Sequence, residues 1–582
     1  IVFADGTGTA GASGTQANPT DLNSAPGKFP GQNEIIVAQG NNGPLNVNNP
    51  VQLQDGQALL GGGTPVGVTL VGGPNNGHHL YFTPPGTRPT VVGNNAGIDL
   101  IQMASGSQNR VTGLNLAGGF SNGVAGLNMY RAIVTDNFIS GGVGNGVFLQ
   151  QSGAGAQPSS YVIVGRNTLL GNGGDGLRIE NAVSDGLPHS QFAAIFNNLV
   201  SGNGADGIGI HSTATGAGTT FSSALYVVGN GVFDNAGNGL WVENRASDGG
   251  SVAQIFNVLA GNDVWDNGAD GIRVENVASG AGAHVGQLVI VAANSVDGNG
   301  DEGIAVVNFA SSGGTIDQTA AVGAVDIYGS THGNVVTNNG YDGIRATNRA
   351  SGGGASIGQT LTVLANLASG NGTGPGNSFF QNGILISNYG VSGGAVSQSI
   401  SVLANSATGN TDNGIVMFQA VEGSSRIDQT GDISGNLASG NRWNGLYLYN
   451  RAGTTAAPGI GGGTIAQSLT GTSNSFVANG TDGVRLGNEA RFGGSAISQS
   501  VALSDSVITG NSSNGVNLLN NATSGGALIS QAVTIDPSII TSNGINGIYG
   551  FNAITSATLS QTIVILDNRI SYNSRDGVRL IT

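Results

Sequence analysis

The 582-residue chain has no cysteine, one lysine (Lys28), three methionines, three tryptophans and only 9% charged residues. Each scarcity excludes something. Without cysteine there is neither a disulfide framework nor a thiolate metal site, which suits a bacterial secreted or surface protein built without disulfides. Near-absence of lysine with a net charge of −15 sets the molecule against phosphate backbones, so nucleic acid is not an expected partner. The longest apolar runs, such as Leu288 to Ala293, are too short to span a bilayer, so this chain is not expected to insert in a membrane. The six histidines, His78, His79, His189, His211, His284 and His332, show no metal-ligand spacing, and no metal site is assigned to them. Chain disorder is excluded too, because apolar residues make up 38% of the sequence and recur with a period.

What is abundant is glycine, 103 residues, and it marks a repeat. The stretch Asn262 to Asn276 reads NDVWDNGADGIRVEN. Its glycine, Gly271, has counterparts at Gly146, Gly176, Gly207, Gly239, Gly303, Gly343, Gly383, Gly414, Gly445, Gly483, Gly515, Gly547 and Gly577, mostly 30 to 32 residues apart and about 40 where turns are longer. A fixed period of this size means a solenoid. Apolar residues stand one and three places after the glycine (Ile272 and Val274, Ile304 and Val306) and seven before it (Val264, Val296). Period two means strand, and short strands bury a face only by stacking copies.

Asparagine recurs at three places in the unit. Five after the glycine stand Asn181, Asn244, Asn276, Asn308, Asn348 and Asn388; four before it stand Asn172, Asn203 and Asn267; nine before it stand Asn167, Asn198 and Asn262. An amide both donates and accepts, so copies stacked at about 4.8 Å can bond in ladders. The marker glycine is expected to supply a positive φ at the corner. The expected architecture is all-β, a single-stranded parallel β-helix of about 15 coils, roughly 70 Å long at strand spacing. Residues 1–33, rich in Gly, Thr, Asn and Pro, read as an N-terminal lead-in or cap, and 34–582 as the helix.

In this pattern the chain resembles right-handed parallel β-helix proteins of the pectate-lyase-like superfold, over nearly all residues after about 30. That resemblance implies the right hand of the coil; it is poor for function, because the fold carries many activities. The order ADGTGT, GTQANPTDLNSA, IIVAQG and LQDGQALLGGG within residues 1–75 resembles the start of the passenger region of bacterial autotransporter and inverse-autotransporter surface proteins. This resemblance implies an extracellular, cell-surface location. Ile1 is not an initiator methionine, so any signal peptide is expected to have been removed or to lie outside this sequence. The repeat strand Asp576 to Leu580 falls at the end of the sequence; either the protein continues beyond it, or another subunit or domain is expected to stack on the open coil, end to end into a fibre where it is a second copy.

Residues two and four places after each glycine should face outward, and two patches emerge there. The first joins Trp241, Glu243, Arg273 and Glu275, with Glu180 and His211 nearby. Carboxylates on adjacent rungs could lie roughly 5 Å apart, the separation of a retaining glycosidase pair, with Trp241 to stack a sugar. The bland alternative is a solvated Arg/Glu ladder. The second patch is Leu385, Val416, Phe418, Trp443, Tyr447 and Tyr449, an outward aromatic cluster suited to a glycan or a protein partner; here the alternative is burial under the chain's own loops. Loop excursions at Thr315–His332, Gly372–Phe380 and Gly453–Ile465 could wall a groove. Corner aspartates (Asp175, Asp206, Asp270, Asp342, Asp482, Asp576) alternate with Asn. Turn chemistry explains them, with Ca²⁺ the one cofactor they leave open. GNGADG and GNGDEG, at Gly202–Gly207 and Gly298–Gly303, match a dinucleotide fingerprint but are repeat corners without a βαβ unit.

The Asp-Pro-His triplet of alginate-epimerase-like β-helices and the Gly-His-Gly of polygalacturonase-like ones are absent. A lyase-like arginine base finds its nearest candidate in Arg273, beside Glu243 and Glu275. The expectation is therefore a non-catalytic, adhesin-like stalk or binding surface for a polysaccharide or a neighbouring cell-surface protein. The alternative is a polysaccharide lyase or glycoside hydrolase using Glu243, Glu275 and Arg273.

Overall fold

A computed structural model describes residues 1–28, 34–69, 79–153, 156–325, 330–374, 381–453 and 462–581. The described chain is almost entirely strand and turn, with one short 3-10 turn at Ala25–Gly27. No helix is long and apolar enough to cross a membrane. The chain packs as two compact units, residues 1–214 with 219–241, and residues 215–218 with 242–582.

One coil of the second unit shows how sequence becomes structure. Its strands are Asp263–Trp265, Ile272–Ser279 and His284–Ala292. Along Ile272–Ser279 buried and half-buried residues alternate strictly, as the apolar alternation predicts. The next coil repeats the three strands in register: Val264 opposite Val296, Ile272 opposite Ile304, Val274 opposite Val306 and Val285 opposite Ile316, all parallel. Three parallel sheets result, and their inner columns of Val, Ile and Leu meet in the core. Each such side chain, fully buried, contributes about 1.5–3 kcal/mol relative to exposure. The first unit is built alike, with Leu177 opposite Ile208 and Leu169 opposite Val200. Val2–Asp5, within the lead-in, pairs parallel with Ile35–Gln39 and so opens one of its sheets.

The marker glycines act differently from expectation. Gly176, Gly207 and Gly271 do not have positive φ. A Cβ on Gly271 would lie 2.4 Å from Val296 Cγ1, 2.7 Å from the Gly303 carbonyl and 2.8 Å from Asn299 Nδ2. These glycines are required for space, where one coil presses on the next. Left-handed backbone falls instead just before asparagines of the two columns that precede the glycine: Gly261 and Ala293 before Asn262 and Asn294, Asp266 and Gly298 before Asn267 and Asn299.

The ladders run as the spacing predicts. Asn244 donates to Asn276, Asn276 to Asn308, Asn308 to Asn348 and Asn348 to Asn388, at 2.7–2.8 Å. Asn388 passes the bond to Gln419 at 2.8 Å, and in the first unit Asn181 bonds Ser212 at 3.4 Å. Alongside runs a buried glutamine ladder that the asparagine columns did not announce. Gln318 donates to Gln287 and Gln287 to Gln254, toward the N-terminus, opposite to the asparagines. Cross-bonds such as Asn276 Nδ2 to Gln287 Oε1, 2.9 Å, tie the two together.

Of the long excursions, Thr315–Val322 is a regular sheet strand. Residues 326–329, 375–380 and 454–461, part of the expected groove walls, lie outside the described residues.

Candidate functional site

The outward face of the sheet that follows the marker glycines carries both patches. Rungs of this sheet put equivalent side chains one strand spacing apart, so long side chains fold over small ones. In consequence the outward columns are unevenly exposed: Ala305 and Val307 are buried. Leu385, between Arg345 and Val416 on the adjoining rungs, is only 2% exposed and offers no surface to a ligand.

In the first unit, Trp241 is half-buried and meets the His211 ring edge-on, centroids 4.6 Å apart at 84°. Nearby on this sheet Arg178 bonds Asp175 at 3.4 Å and Glu180 at 3.2 Å. In the second unit, Glu243 takes Arg245 at 2.6 Å and Glu275 takes Arg273 at 2.8 Å. Arg273 reaches Asp270 with its other arm at 2.9 Å. Both proposed catalytic carboxylates are thus engaged by a guanidinium of their own strand. Arg273, though burial opposes its charge, is held firmly protonated by Asp270 and Glu275.

Behind Arg273 the corner acids stack into a buried charged row. Asp270 Oδ1 accepts the Glu302 backbone N–H at 3.0 Å. Burial, then the charge of Glu302, pushes the Asp270 carboxyl well up. Burial also works to raise Glu302, but the bond from Asp270 and the Arg345 guanidinium outweigh it and hold the group down. Asp342, on the following coil, is wholly buried and pushed up to about 7 by burial and by Glu302. Asp270, Asp301 and Glu302 offer oxygens all within 4.8 Å of one another, a geometry open to a cation. Arg273 and Arg345 already bring positive charge to that cluster.

The aromatic patch is assembled from three rungs of the second unit. Phe418 lies 5.5 Å from Tyr389 and 5.6 Å from Tyr449, and Tyr447 stacks on Tyr449 at 5.6 Å and 18°. The Arg485 guanidinium sits over Tyr447, 5.3 Å from its centroid. The Tyr449 hydroxyl donates to Glu489 at 2.6 Å. Burial and that carboxylate push the phenol well above its ordinary range. A depression of about 260 Å³ opens here, lined by Tyr447, Tyr449, Arg485, Glu489, Asn521 and Phe551 among others. Trp443, 47% exposed, stands at a corner two residues before Gly445 and joins no ring pair among the described residues.

The structure thus brings Phe418, Tyr447 and Tyr449 together and leaves Leu385 beneath and Trp443 apart. Sequence reading missed Tyr389 and Glu489. The signal was a third column, six places after the glycine: Arg245, Arg349, Tyr389, Arg451, Glu489 and Asn521. Beyond the ladder asparagine the strand continues, and its side chains face outward again.

Comparison with known proteins bears on the fold. No curated protein matches the chain. The crystal structure of the N-terminal fragment of gene product 12 from bacteriophage phi29 aligns over 95% of this chain and 92% of that one. Identity is 12% and the TM-score 0.26, a superposition too loose to bear on function. A family model described as a right handed beta helix region matches residues 90–252. With its stacked parallel strands and asparagine ladders, the chain is a right-handed parallel β-helix.

Proposed function

We propose that this protein is a secreted, non-catalytic β-helix that binds glycans at a bacterial cell surface. The fold is compatible with an adhesin or with a polysaccharide-acting enzyme. The observation that favours binding is the cluster of Phe418, Tyr447 and Tyr449 beside an open depression on one sheet face. Aromatic rings of this kind stack on sugar faces. Glu243 and Glu275, the acids a glycosidase would need, are instead committed to Arg245 and Arg273. A general acid or nucleophile must be free to exchange its proton or attack.

The test is a glycan array followed by calorimetry and a reducing-sugar assay on each ligand found. Binding without release of reducing ends, weakened about tenfold in Tyr447→Ala, is the expected result. Turnover that disappears in Glu275→Gln would establish the hydrolase instead, and capture of a surface protein with no glycan bound would establish a protein-binding stalk.

A further inference from the structure

Five arginines occupy the place two residues after a marker glycine: Arg178, Arg273, Arg345, Arg485 and Arg579. Four of them hold an acid. Arg178 and Arg273 each take the aspartate three residues back and the glutamate two residues on. Arg345 takes Glu302, and Arg579 takes Asp576 at 3.7 Å. Arg485 has no ion pair among the described residues, and its Nε is buried without a hydrogen-bond partner.

Two local changes explain this. In the Arg178 and Arg273 coils, the corner aspartate accepts a backbone N–H of the next coil at Oδ1 and the arginine at Oδ2. In the Arg485 coil the corner aspartate is Asp482. Its Oδ1 accepts Asn514 at 2.9 and 3.0 Å, and its Oδ2 accepts Asn517 Nδ2 at 2.7 Å. Both oxygens are occupied from the following coil. The second acid is lost outright, because Gly487 stands where Glu180 and Glu275 stand in those coils.

The vacated arginine lines the aromatic depression. Glu489 is the one carboxylate among the lining residues. It is engaged by Arg491 at 2.7 Å, by Arg451 at 3.6 Å and by the Tyr449 hydroxyl. Three guanidiniums therefore face a single acid here, on a chain whose net charge is −15. At about 260 Å³ the depression falls below the ~300–1,000 Å³ of sites that enclose a small ligand. It suits one residue of a polymer crossing the face.

We propose that this depression is a subsite for an acidic sugar, a uronate unit of a polysaccharide. Its carboxylate is taken by Arg485, and its ring lies against Tyr447, Tyr449 and Phe551. A guanidinium matches a carboxylate with two parallel N–H···O bonds, and a hexuronate carries that carboxylate beside an apolar ring face. The inference rests on the glycan-binding reading and narrows its ligand.

Calorimetry with polygalacturonate and alginate oligomers, set against fully methyl-esterified pectin oligomers, neutral dextran and a sulfated glycan, tests it. Wild type is expected to bind the uronates, with affinity falling as salt rises. Arg485→Met, which keeps the stem over Tyr447, should weaken that binding about 10- to 100-fold and leave the thermal midpoint in place. Gly487→Glu restores an internal acid partner and should weaken it likewise. Uronate binding unchanged in either folded variant overturns the proposal. So does preference for the sulfated glycan, or binding of neutral and esterified glycans alone; in the last case the glycan-binding reading survives. Failure of every glycan to bind removes both.

Discussion

Asp342 shows how much one buried oxygen decides. Its Oδ1 accepts the Asn382 backbone N–H and side-chain amide at 2.8 and 2.9 Å, while Oδ2 has no partner. In the unfolded chain an aspartate titrates near 4; folded, this one titrates at about 7. Between those values only the folded state holds the proton. Its contribution is complete below about pH 4 and is lost as pH rises toward 7, by a few kcal/mol. Asn382, Asn413 and Asn444 fill the same place in the following coils and bond one another. Asp342→Asn should therefore fit the ladder, raise stability at pH 7 and flatten its fall between pH 4 and 7. Denaturation midpoints of both proteins across that range would check this. A second residue-scale prediction concerns Gly271: alanine there must displace Val296, Asn299 and the Gly303 carbonyl together, and should cost about 1–3 kcal/mol. The same change at Gly353, where a Cβ meets nothing within 4 Å, should cost far less.

At the scale of the element, stability comes from paired ladders rather than from any one bond. Asn308 accepts from Asn276 and donates to Asn348 and Gln318. All four side chains are buried. Replacing Asn308 by alanine strands the Asn348 acceptor, takes one of two donors from Gln318 Oε1, which keeps Gln359, and removes one of the two acceptors of Asn276, which keeps Gln287. The cost should be about 1–3 kcal/mol, concentrated in the adjoining coils. Native-state hydrogen exchange would show faster opening of Ile272–Ser279 and Ile344–Ser351 than of strands several coils away. Uniform acceleration along the chain would mean the ladder carries no local stability. The element is also where sequence reading worked best and then stopped. Alternation around Gly271 located the strand, its buried face and Asn276. It ended at the ladder position, and so passed over Tyr389 and Glu489 one residue further on. Nor did it expose the glutamine ladder, since Gln287 lies on a different strand from Asn276 and their bond exists only across the core.

For the whole molecule, each coil touches chiefly its neighbours, so stability is a sum of local terms. A chain of this length should not unfold in one step. Trp241 lies in the first unit, and Trp265 and Trp443 in the second. Tryptophan fluorescence of single-tryptophan variants should therefore give midpoints that differ between units and from the strand circular dichroism signal; coincident curves would show one cooperative unit. With no cysteine, these midpoints should not respond to reductant. The coil was determined by the sequence alone, because period, alternation and amide columns are properties of residues read in order. What only the tertiary structure decided is which atom on a neighbouring coil claims each polar group. Asp482 could have held Arg485, as Asp270 holds Arg273. Asn517, 35 residues further along the chain, took the oxygen instead. A choice between two donors for one oxygen is settled by distance across stacked coils, and no column of letters contains that distance.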